Sequence, residues 1–78
     1  MDDADRRLIE ELLPKDEELK QLVEAHEAYE STLDEMGRRR FLSDAERQEM
    51  ALLKKRKLAG KDRIHEILAR WRKEMGVG

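Results

Sequence analysis

The chain has 78 residues and a formal net charge of −2; 46% of its residues are charged, 38% apolar, 4% aromatic and none cysteine. At about 60 to 80 residues a single core is only just adequate without staples, which implies one domain at most and a partner surface besides. A disulfide framework and a Cys-based zinc site are excluded, and the longest apolar run, Met50-Ala51-Leu52-Leu53, is far too short for a membrane span. Met1-Asp2-Asp3 carries the wrong charge to open a secretory signal, so a cytoplasmic location is expected.

In chain order, the first element is a short helix over about residues 4–13. Pro14 ends it, lacking a backbone donor and biasing Leu13 away from helical angles. A second helix is expected over about 15–36, with Asp16, Glu17 and Glu18 in its first turn, where the helix dipole favours negative charge. Gly37, at a C′ position, opens a turn over 37–43. Ser43-Asp44-Ala45-Glu46 matches the capping box and starts a third helix, about 44–75, which Gly76 stops. No segment alternates with period two for long enough to make a strand.

Periodicity says how the two long helices pack. Leu19, Leu22, His26, Tyr29, Leu33 and Met36 are spaced 3-4-3-4-3, and Met50, Leu53, Lys57, Gly60, Ile64, Ile67 and Trp71 continue the same rhythm. These are heptad a and d positions, which pack at a shallow crossing angle. A turn of seven residues makes consecutive helices antiparallel neighbours. The expected fold is therefore all-α, an antiparallel two-helix hairpin, coiled-coil-like, with a short N-terminal helical segment. Its intrahairpin seam runs from Leu19, Leu22, His26, Tyr29, Leu33 and Met36 to Met50, Leu53, Lys57, Gly60 and Ile64. Charge agrees: residues 1–36 carry a net −9 and residues 37–78 a net +7, as expected of facing surfaces.

These residues resemble the YdcH-like family of small bacterial helical-hairpin proteins of unknown function. Over about Leu19 to Leu68, the stretch L-V-E-A-H-E-A-Y-E-S-T-L is similar to the family's first helix. In the second helix Asp44, Leu53, Lys54, Lys55, Lys57, Leu58, Lys61, Asp62 and Ile64 sit where the family's pattern wants them. Gly60 and Arg63 depart from it, standing where a leucine and an acidic residue are usual; Gly60 implies either a gap opposite Leu22 or a close approach of the helices. The resemblance implies a stand-alone hairpin and brings no activity, substrate or cofactor with it.

Catalysis has little to work with. Beside Tyr29 the hydroxyls are Ser31, Thr32 and Ser43, the last spent as a cap, and no glycine-rich phosphate loop exists. Non-enzymatic action without cofactor or small-molecule substrate is expected. His26 on the seam reads as polar packing rather than as a metal ligand, since Asp62-x-x-His65 is the nearest approach to a di-metal motif and occurs once. A pH-sensitive contact of His26 with Lys57 is a third option. The ammonium of Lys57 is expected to reach Glu27 or Glu30 while its stem lies on the seam.

The longer third helix overhangs the second, and its apolar end (Ile67, Leu68, Trp71, Met75) must be covered, either by Leu8, Ile9 and Leu12 of the same chain or by a neighbour. With Leu58, which points off the main stripe near Ala51 and Ala69, these four residues form the candidate interface for self-association or for docking to a larger protein. The rival reading is nucleic-acid association through Arg38, Arg39 and Arg40 in the turn and Lys54, Lys55 and Arg56 on the third helix, weakened by the interrupting Glu46, Glu49 and Asp62. A membrane-surface helix is disfavoured because the polar faces carry mixed charge.

Overall fold

A computed structural model describes residues 2–76. Three helices account for most of them: α1 (Asp3–Leu12), α2 (Glu17–Arg38) and α3 (Asp44–Glu74), with no strand among the described residues. The molecule measures 49 × 21 × 16 Å. At 1.5 Å per residue the 31 residues of α3 span about 46 Å, so this one helix sets the long dimension.

Local chemistry explains each helix boundary. Asp2 caps α1, its Oδ1 accepting from the Asp5 N–H at 2.8 Å. Leu13 keeps right-handed helical angles (φ −50°, ψ −44°) although Pro14 follows, which corrects the expectation that the proline turns it extended. The proline acts instead through its missing donor: the next two N–H groups, of Lys15 and Asp16, both reach back to the Leu12 carbonyl, at 2.8 and 2.9 Å. The chain then straightens at Asp16 (φ −132°, ψ 102°), whose Oδ1 accepts from the Leu19 N–H at 3.0 Å and caps α2.

The exit of α2 differs from the sequence expectation. Gly37 lies within the helix, which runs on to Arg38, and the connection shortens to residues 39–43. The chain leaves through Arg39 in an extended conformation (φ −72°, ψ 137°), so no left-handed residue is required and the glycine's freedom goes unused. The capping box of α3 forms as its spacing demands: Ser43 Oγ accepts from the Glu46 N–H and Glu46 Oε1 from the Ser43 N–H, both at 3.1 Å. The bond from the Ser43 N–H first, and the Ser43 hydroxyl after it, hold the Glu46 carboxyl below its ordinary range. At the other end Gly76 has φ +73°, the left-handed stop that a helix terminus favours.

The core lies toward the α1 end. Ile9, Leu12, Leu19, Ile64, Ile67 and Leu68 form one buried cluster, with Leu8, Leu13, Leu22, Val23 and Trp71 packed around it. Each such side chain contributes on the order of 1.5–3 kcal/mol by leaving water. Here α1 lies on the C-terminal stretch of α3, so the overhang finds its cover within its own chain. Along α2 and α3, Glu18 meets Arg63 at 3.0 Å, Glu30 meets Lys57 at 3.7 Å and Arg39 meets Glu46; positions rise along α2 as they fall along α3.

Candidate interaction surface

The expected seam positions all lie inward to some degree. Leu19, Leu33, Met36 and Ile64 are buried, while Leu22, His26, Tyr29, Met50, Leu53, Lys57 and Gly60 are half-buried. A Cβ built on Gly60 meets nothing within 4 Å, so the glycine marks a gap rather than a close approach of helices.

Glu30 gathers the polar groups of the seam. His26 Nε2 donates to its Oε1 at 2.9 Å, and the Lys57 ammonium stands 3.7 Å from the same oxygen. Because the carboxylate can only accept, the imidazole proton is on Nε2; Nδ1 is then buried without a partner. His26 faces an open groove between α1 and α2, floored by Ile9, Val23 and Ile64 and rimmed by Arg6, Glu10 and Glu27. Among the described residues no three His, Asp or Glu side chains converge as a metal ion would require.

The candidate interface divides in two. Ile67 and Leu68 are fully buried against α1 and belong to the intrachain core, a correction to their reading as docking residues. Trp71 is half-buried, its indole N–H donating to Asp16 Oδ2 at 2.9 Å; that tie fixes the turn between α1 and α2 against α3 and leaves the ring little freedom to serve as a docking anchor. Leu58, 60% exposed, and Met75 remain open to solvent, as do Leu52 and Phe41, neither of which the sequence pattern singles out as a docking residue.

A part-buried ion pair completes the α1 contact. Asp5, the single buried charged residue among those described, takes the guanidinium of Arg72. The signal for this pair was weak in the sequence, since 67 residues separate the partners and α1 had no assigned register.

The basic residues are not assembled into one field. Arg39 is engaged by Glu46 and lies 3.8 Å from Glu35, whereas Arg38, Arg40, Lys54, Lys55 and Arg56 are exposed. Lys54 turns instead toward a second groove, between α2 and α3, lined by Leu33, Met50 and Leu58 with Asp34, Lys57 and Lys61. No helix among the described residues is long and apolar enough to cross a membrane.

Comparison with known proteins found no matching family model, curated protein or solved structure.

Proposed function

We propose that the chain is an antiparallel helical hairpin, similar to the YdcH-like proteins, that acts without catalysis by helix-to-helix contact, with itself or with a larger protein. What supports this most directly is the apolar surface left over after the chain has packed its own core: Leu58, with Leu52, Phe41 and Met75, remains outside. The total agrees. A compact monomer of 9.3 kDa exposes about 5,000 Å², whereas this one exposes 6033 Å².

The α2–α3 ion pairs support the orientation, with acidic residues of α2 beside basic residues of α3. Nucleic acid is the less favoured partner, because Arg39 and Lys57 are already answered by carboxylates and the remaining basic residues are spread along the molecule. Sedimentation across a concentration series, with and without 0.5–1 M salt (about 3–4 Å screening length), tests the reading. Self-association in that series, or capture of a protein partner by cross-linking, that survives salt and is lost in Leu58→Ser is the expected result. The absence of both self-association and a Leu58-dependent partner in a cross-linking pull-down would defeat it.

A further inference from the structure

We infer that the exposed face of α3 between Arg47 and His65 is a docking site for an amphipathic helix of a partner protein whose carboxylates flank its apolar stripe; this rests on the helix-to-helix reading above and names the class of partner.

Arg47, Ala51, Lys54, Leu58, Lys61, His65, Leu68 and Arg72 are spaced 4-3-4-3-4-3-4, a second heptad stripe beside the seam. Its two ends differ in what covers them. At the C-terminal end Leu68 and Arg72 are occupied: α1 lies there, with Ile9 and Leu12 in one buried cluster with Leu68 and Asp5 paired to Arg72. Thus the chain itself shows which chemistry the stripe accepts, an apolar ridge with a carboxylate at its flank. Residues 2–13 carry five acidic and two basic side chains.

The 10 residues of α1 reach only about 15 Å. The stripe from Arg47 to His65 adds about 27 Å more, over which no third helix lies among the described residues. There Leu58 stands between Lys54 and Lys61, one turn away on either side, and the groove beside them is floored by Leu33 and Met50. Basic groups on the stripe itself are Arg47, Lys54 and Lys61, with His65 at its end; Lys57, beside it, is held by Glu30, and from α2 the flank offers Asp34 and Glu27. A helix seated on α3 with its carboxylates toward Lys54 and Lys61 would continue, along the same stripe, the pattern that α1 begins.

Two labelled 18-residue peptides serve as probes, each with leucines at alternating three- and four-residue spacing and the flanking positions filled by glutamate in one and lysine in the other. Anisotropy titration against the full chain should show the glutamate peptide binding at least tenfold more tightly at low salt. Lys54→Glu with Lys61→Glu should reverse the preference, and Leu58→Ser should weaken the glutamate peptide at least tenfold while leaving the unfolding curve unchanged. Equal binding of both peptides, or binding indifferent to Leu58, would overturn the inference while leaving the helix-to-helix reading to the sedimentation result. So would a dimer that Leu58→Ser dissociates, since a second copy would then own this face, or a duplex oligonucleotide that displaces the glutamate peptide through Lys54 and Lys61. If neither peptide binds and Leu58→Ser changes neither mass nor capture, both readings fall together.

Discussion

Asp16 does two jobs with one carboxylate. Its Oδ1 caps α2 through the Leu19 N–H and its Oδ2 receives the Trp71 indole N–H. These bonds, the backbone one first and the indole second, hold its pKa below the ordinary 3.8. A depressed folded-state pKa gives stability that is present above pH 3.8 and is lost as pH falls through the folded value. Asp16→Ala should therefore cost about 1 kcal/mol near neutrality, the usual worth of a cap. Asp16→Asn, which keeps an acceptor, should cost less. Urea midpoints taken at neutral pH and again in acid below pH 3.8 check both: the gap between each variant and the parent should narrow in acid. Trp71→Phe keeps an aromatic ring but removes the donor and part of the packed indole, and should cost at least about 1 kcal/mol by the same measurement. The capping box at Ser43 was legible because its spacing is local. The Asp16–Trp71 bond was not, because 55 residues separate the partners and nothing local marks Asp16 as more than first-turn charge.

Among the elements, α3 carries both the weak point and the opportunity. Gly60 sits in the middle of its 31 residues, where a glycine costs about 1 kcal/mol relative to alanine. Since a Cβ there meets nothing within 4 Å, Gly60→Ala should stabilise the chain by up to about that amount, seen as a higher melting temperature with an unchanged mass. The two stripes of α3 respond differently to truncation. Ile67→Ala removes a fully buried side chain beneath α1 and should cost about 2–5 kcal/mol, a large fraction of what so small a core supplies. Leu58→Ala should change stability by no more than about 0.5 kcal/mol, because that side chain is already 60% in water. Chemical denaturation of the two variants side by side distinguishes the core stripe from the outer one. The three-helix order followed from Pro14, Ser43 and Gly76, each of which acts within a few residues of itself. The end of α2 did not follow, because the choice between a glycine stop at 37 and an extended exit at Arg39 depends on where Glu46 of the next helix offers Arg39 a partner.

For the whole molecule the telling quantity is shape. The radius of gyration is 15.1 Å, against about 11.5 Å for a compact domain of this length. Elongation follows from one helix spanning the full length with only part of it covered by α1. The core is consequently concentrated at one end, and the opposite end has two helices where the first has three. Amide exchange should mirror this: slow around Leu19, Ile64, Ile67 and Leu68, faster around Leu52 and Leu58. The exposed ion pairs contribute little to the difference, about 0–1 kcal/mol each. Moderate salt should therefore leave the melting temperature nearly unchanged.

The chain's amino-acid order determined by itself that the protein is helical, where most helix ends fall and which side chains share a face, because capping, proline chemistry and the 3-4 rhythm are local or periodic. Tertiary structure decided what those faces meet. The sequence leaves open whether Ile67 and Leu68 are covered by α1 or by a neighbour until α1 is seen on them, and Leu58 gains its meaning only once the neighbouring stretch of the same stripe is seen to be covered. Such choices turn on how far a ten-residue helix reaches along a thirty-one-residue one. That is a matter of geometry between distant segments, which no local pattern encodes.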